Sequence, residues 1–188
     1  MLDITFDPRQ AGEITRYHTW KRLRDQSVGE HSWQILRILL TVWPDAPRRV
    51  MIYAVVHDMG EMFGDISYPF KKIVPQLKAG SVAAEAHVIA EMRKVLGVPR
   101  HNHLSPYENA VFKLCEYVEM WETGLSEVNM GNRYALIIVD RCMKEIGPLL
   151  HKLEVEMAET QDAKQHPGIP AAVHKYIITR MKMEEDNG

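Results

Sequence analysis

No stretch of the sequence approaches the roughly 18–20 uninterrupted apolar residues that a membrane-crossing helix needs, so no membrane span is expected. Cysteine is scarce. Cys115 and Cys142 stand far apart, without the CxxC spacing of a zinc or redox site. That excludes a disulfide scaffold and a thiolate metal cluster, and leaves two buried thiols in a reducing, cytoplasmic setting as the expectation. Charge of one sign is also missing: 23 Lys and Arg stand against 25 Asp and Glu, a net charge of −2. A nucleic-acid partner or an anionic membrane surface is therefore not expected. The opening MLDITFDPRQAGE lacks a basic region followed by a long apolar run, so no secretory signal is expected. Alternating strand patterns are almost absent, there is no internal repeat, and the fold class expected is all-α.

What the chain does have is helical periodicity and a sizeable apolar fraction, 46% over 188 residues. That suffices for one domain spanning 1–188, with a core at about 16–150 and C-terminal helices completing a bundle. Ser27 followed by Glu30 has the pattern of a capping box, and Ile35, Leu36, Leu39, Leu40 and Trp43 then recur at helical spacing. Pro44 and Pro47 interrupt the helix, and the nearly apolar Val50–Val56 predicts the most buried helix of the fold. A third long helix is expected over Ser81–Leu96, ended by Gly97 and Pro99. Ser105, Pro106 and Glu108 repeat the capping box with proline at the first helical position. Helices are expected over Asn129–Leu153 and Pro170–Met183, with a kink or boundary at Gly147-Pro148. Ile137, Ile138 and Val139 are β-branched, but Ala135, Leu136, Cys142, Met143 and Ile146 continue the helical period through them.

The chemistry gathers around His57-Asp58 in YAVVHDMGE. Imidazole nitrogen and carboxylate oxygen both ligate divalent cations. An isolated His-Asp pair is ordinarily a solvated helix end, and a lone His31 in the first turn of a helix ordinarily satisfies a carbonyl. Two histidines on two helices, one followed at once by Asp58, are together what a mononuclear metal site in a helical bundle needs. If the helix continues past Asp58, Glu61 projects to the same side as His57 and Asp58. Gly60, Gly64 and Pro69 then break it, so Asp65 and Lys71 would come from a loop folding back over the metal. A cation, two carboxylates and a lysine are the parts for phosphate-ester hydrolysis. His87 reads as a histidine of the surface or one behind the ligands rather than a ligand, and His101 and His103 as solvated loop residues. A di-iron bundle needs paired Glu-x-x-His motifs, and none is present.

With His31, His57-Asp58 and an acidic residue on a later helix, the chain resembles the HD-domain phosphohydrolases. The words SVGEHSW, HDMGE, GDISYPFK and KLCEYVEM resemble the subgroup of bacterial HD-family 5′-deoxynucleotidases and phage HD-domain dATP triphosphohydrolases, over about Arg16 to Arg133. The resemblance implies a single divalent ion held by His31, His57, Asp58 and Glu116, with Glu116 standing where the family has Asp. Two imidazole ligands favour Mn²⁺, Co²⁺ or Zn²⁺ over Mg²⁺. It further implies Glu61 and Asp65 as the catalytic carboxylates, and Arg16 and Lys71 as the phosphate clamp. Tyr17, where the family has tryptophan, and Trp20 would then lie against sugar or base. The substrate implied is a deoxynucleotide, dATP dephosphorylated to deoxyadenosine, in a homo-oligomer. A general deoxyribonucleoside 5′-monophosphatase is the alternative, and an inactive HD-fold nucleotide sensor is the alternative of another class.

Overall fold

Ser105 starts the longest helix as the residue types require: its hydroxyl accepts the Glu108 N–H while the Glu108 carboxylate accepts the Ser105 N–H, with Pro106 in the first turn. Ser27 acts similarly, its Oγ accepting the Glu30 N–H at 3.1 Å. The computed structural model describes residues 7–16, 21–63, 75–95, 97 and 104–186. Among them the elements are α1 (Pro8–Glu13), α2 (Val28–Val42), α3 (Arg48–Val56), a 3-10 helix (Met59–Phe63) and α4 (Pro75–Val95). There follow α5 (Pro106–Asn129), a 3-10 turn (Arg133–Ala135), α6 (Leu136–His151), a π turn (Lys152–Glu156), α7 (Gln161–Gln165) and α8 (Ile169–Asp186). The fold is all-α. Extended pairing among the described residues amounts to one isolated antiparallel bridge, Thr15 with Ser27, and no described helix is long and apolar enough to cross a membrane.

The chain divides into two compact units that interleave in sequence. One holds Met1–Lys21, Asp25–Trp33 and Ile52–Asn102. Apart from α4, which has 21 residues, its elements are short. Ala11 of α1, Val56 at the end of α3, Met59 of the 3-10 helix and Val88 of α4 form a buried cluster, with Ile52 and Ile89 packed on it. The close approach of α1 to α2 depends on glycine: a Cβ at Gly29 would meet the Gly12 carbonyl oxygen at 3.0 Å.

The other unit holds Arg22–Arg24, Gln34–Met51 and His103–Gly188. Here α5 packs along α6, and Gly124 sits where Val139 Cγ2 and Ile138 Cγ2 lie 3.0 and 3.4 Å from the position of a Cβ. The branched methyls of a helix thus fill the notch left by a missing side chain on its neighbour. Trp43, Tyr107, Phe112, Leu114 and Ile146 are fully or almost fully buried in this unit. Cys115 and Cys142 are free and buried, and burial pushes both thiols up to about 12, too high for a nucleophile at neutral pH. Helix α5 ends in a Schellman turn: Gly131, at φ +100°, gives its N–H to the Val128 carbonyl, and Asn132 gives its N–H to Glu127.

Polar side chains in this unit are matched to one another. Glu122 accepts from Arg37 at 2.6 Å, from the Tyr176 hydroxyl at 2.8 Å and from Arg180 at 2.7 Å, tying α2, α5 and α8 together. Burial and the neighbouring Glu122 push the Tyr176 phenol up to about 12. Glu108, almost fully buried, takes Arg49 at 2.5 Å as well as its capping contact.

Four expectations need correction. Val50–Val56 is not the most buried helix, because Val55 is 38% exposed, whereas α5 buries residues along its whole length from Tyr107 to Glu127. The third long helix begins at Pro75 rather than Ser81, since proline is at home in a first turn; Leu96 and Pro99 lie outside the described residues. The segment expected as one helix from Asn129 to Leu153 is broken by the Schellman turn and begins again at Arg133. Of the kink or boundary expected at Gly147-Pro148, the boundary is not there: α6 runs through Pro148 to His151 and loosens into the π turn just beyond.

Candidate metal centre

His31 rides on the first turn of α2, and the start of that helix is pinned by backbone hydrogen bonds. Arg16 gives its N–H to the Gln26 carbonyl at 2.9 Å and Val28 gives its N–H to Ile14 at 2.8 Å, on either side of the Thr15–Ser27 bridge. The same short ladder therefore fixes both Arg16 and the helix that presents His31. The His31 side chain is fully buried.

His57 and Asp58 follow the last turn of α3. The His57 N–H still reaches Tyr53 at 3.0 Å in the α-helical manner, but Glu61 gives its N–H to Asp58, three residues back, and the chain tightens into the 3-10 helix. The continuous α-helix expected through Glu61 is therefore not formed. Glu61 is half-buried and belongs to this 3-10 helix, in which the angle per residue is larger than in an α-helix.

Three groups converge. Asp58 Oδ2 lies 3.4 Å from His31 Nε2, and Asp58 Oδ1 lies 3.3 Å from His57 Nε2. The three ligand atoms all fall within 4.8 Å of one another. An ion bound at about 2.0–2.2 Å in a tetrahedral shell sets its ligands about 3.3–3.6 Å apart; each histidine lies at such a distance from Asp58, though from a different oxygen of it. His57 Nδ1 lies 2.9 Å from the Ala54 carbonyl. A carbonyl only accepts, so Nδ1 carries a hydrogen, and Nε2 is the ring nitrogen on the Asp58 side. When the imidazole is neutral that nitrogen is an acceptor, and with the carboxylate 3.3 Å away it can hold a cation. The donor set of two imidazoles and one carboxylate fits a divalent transition ion.

Arg16 is the fourth participant. Its Nη2 lies 3.2 Å from Asp58 Oδ2, the oxygen that also faces His31, and its side chain is 9% exposed. Sequence reasoning placed Arg16 at the phosphate and carried no signal of this pairing, which depends on the ladder at Thr15–Ser27. The Ala54 carbonyl was likewise missed, although a histidine three residues after a helical carbonyl could have suggested it.

Glu116, expected as a ligand, lies on α5 in the other unit, where its carboxylate accepts from Lys113 at 2.5 Å. Glu119, one turn further, is buried and accepts from the Thr123 hydroxyl at 3.0 Å. His87 is exposed, as expected. Tyr17, Trp20, Asp65 and Lys71 lie outside the described residues, as do His101 and His103. Neither a protein-family model nor a curated protein matches the chain.

Proposed function

We propose that the chain is a metal-dependent phosphohydrolase of the HD-domain kind, acting on deoxynucleotides and converting dATP to deoxyadenosine. The observation that carries this reading is the convergence of His31, His57 and Asp58, with each Nε2 3.3–3.4 Å from an Asp58 oxygen and His57 Nδ1 oriented by the Ala54 carbonyl. The ion would supply Lewis acidity at a phosphoryl oxygen and lower the pKa of the attacking water. His31, His57 and Asp58 hold it. Glu61, carried three residues past Asp58, orients that water or takes its proton as the new phosphorus–oxygen bond forms, and a carboxylic acid returns a proton to the 5′ oxygen as the old bond breaks.

The resemblance adds Asp65 to that acid–base work, Glu116 as a further ligand and Lys71 beside Arg16 for the phosphate charge. It also adds Tyr17 and Trp20 against the sugar or base, where an aromatic packed at C2′ would reject a ribonucleotide. Mn²⁺, Co²⁺ or Zn²⁺ suits the imidazoles better than Mg²⁺. A homo-oligomer that binds neither nucleic acid nor membrane completes the proposal.

The test is chromatographic measurement of nucleoside formed from dNTPs, dNMPs and the matching ribonucleotides, each with Mg²⁺, Mn²⁺, Co²⁺ or Zn²⁺. Deoxyadenosine formed from dATP well ahead of the other dNTPs supports the reading. Equal turnover of several dNMPs replaces it with the 5′-monophosphatase. Silence with every metal, in folded protein, leaves the inactive nucleotide sensor.

A further inference from the structure

Arg16 places a permanent positive charge on the carboxylate that the metal reading assigns to the ion. A guanidinium does not deprotonate in a protein, so its charge cannot be shed to make room for a second cation. Both partners are largely removed from water, Arg16 at 9% and Asp58 at 17% side-chain exposure, and screening between them is weak. The contact is made to Oδ2, the same oxygen that lies 3.4 Å from His31 Nε2. An ion bound by His31, His57 and Asp58 must share that carboxylate with the guanidinium or displace it.

We infer that Arg16 competes with the metal ion for Asp58, so that it sets the metal affinity and becomes available to an anion when the ion binds. This rests on the metal-centre reading above. Without an anion, an ion and a guanidinium at one carboxylate repel each other. A tetrahedral dianion seated against both relieves that repulsion, so metal and anion bind with positive coupling that is reciprocal. Arg16 acts on the metal through Asp58 and, once released, on the anion directly through its guanidinium. The backbone at Arg16 is fixed by its hydrogen bond to Gln26, so the movement required is one of the side chain.

The experiment is a Co²⁺ titration of metal-stripped full-length protein, followed by the visible absorption of the bound ion and needing no turnover. Wild type, Arg16→Met and Arg16→Lys are compared, each with and without inorganic sulfate. Arg16→Met, which keeps the length of the side chain and removes the charge, is expected to bind Co²⁺ on the order of tenfold more tightly than wild type. Arg16→Lys should stay near wild type, and sulfate should tighten Co²⁺ in wild type and not in Arg16→Met.

Thermal unfolding in chelator gives a second readout: Arg16→Met should melt below wild type there, and the addition of Co²⁺ should close or reverse the gap. Equal or weaker Co²⁺ binding by Arg16→Met, with the wild-type site binding normally, overturns the competition and leaves the metal centre standing. Failure of every variant, wild type included, to bind Co²⁺ overturns both. Should Arg16→Met not fold, Arg16→Gln takes its place under the same criteria.

Discussion

The carboxylates of the two units are served by different kinds of neighbour. Glu122 faces Arg37, Arg180 and a tyrosine hydroxyl, and Glu108 faces Arg49 and a backbone N–H. Glu127 accepts the N–H groups of Leu23 and Arg24 and the amide of Asn132. All of these neighbours carry hydrogens at neutral pH and donate them, and their work is to tie segments together. Asp58 faces two imidazole nitrogens, which can serve as metal ligands, and an arginine. A carboxylate surrounded by donors is a strut. A carboxylate facing imidazole nitrogens can be a ligand.

The largest contrast to test is between Asp58 and Glu108. Asp58→Ala should reduce nucleoside formation to background and abolish the absorption of bound Co²⁺, while circular dichroism keeps its helical signature. Glu108→Gln should do the reverse. It loses the Arg49 pair and weakens the α5 capping box, costing about 2–3 kcal/mol of unfolding free energy in urea, with kcat at permissive temperature unchanged. If Asp58→Ala proves mainly destabilising, or Glu108→Gln mainly inactivating, the distinction between strut and ligand fails.

The next contrast lies inside the metal unit. At Gly29 a Cβ would meet the Gly12 carbonyl at 3.0 Å, a backbone atom that cannot rotate away, whereas at Gly12 the nearest atom is Gly29 Cα at 3.9 Å. Gly29→Ala should therefore cost about 1–3 kcal/mol by pushing α1 from α2 two residues before His31. It should also weaken Co²⁺ binding. Gly12→Ala has ordinary van der Waals room and gains helix propensity, so it should be neutral or stabilising by up to about 1 kcal/mol. Urea midpoints of the two variants, measured side by side, check this, and equal effects would show that the glycine contact does not set the spacing.

The helices were legible where their signals are local. Ser27 and Ser105 announce two starts through residues within four positions of each other, and the period through Ile137–Val139 outweighs β-branching, as Gly124 explains from the neighbouring helix. His31, His57 and Asp58 were legible because ligand chemistry restricts residue types. What escaped depends on non-local partners or on small differences in helical pitch. The turn from α-helix to 3-10 helix after His57 moves Glu61 by a fraction of a turn, which a pattern of apolar residues does not encode. The pairing of Arg16 with Asp58 spans more than forty positions and follows from one bridge, Thr15 with Ser27, that has no hydrophobic alternation to betray it. Pro148 reads as a break in sequence, yet the packing of α6 against α5 carries the helix through it.

The smallest predicted effect concerns Glu127 and depends on pH. Burial alone would raise this carboxyl, but the Asn132 amide and the backbone N–H groups of Leu23 and Arg24 outweigh it and hold the group below its ordinary 4.5. A carboxylate whose pKa is lower folded than unfolded binds fewer protons in the folded state, so its contribution is fully present above the unfolded value. That contribution is lost as pH falls through the folded value. Glu127→Gln keeps an oxygen acceptor for one N–H and removes the charge. It should therefore be less stable than wild type at pH 7, and the difference should shrink as pH falls from about 5 toward 3. Urea midpoints of both proteins across that range measure it. A difference that stays constant with pH would mean that Glu127 acts through packing and hydrogen-bond geometry alone, and that the charge on this strut contributes nothing to holding residues 22–24 in place.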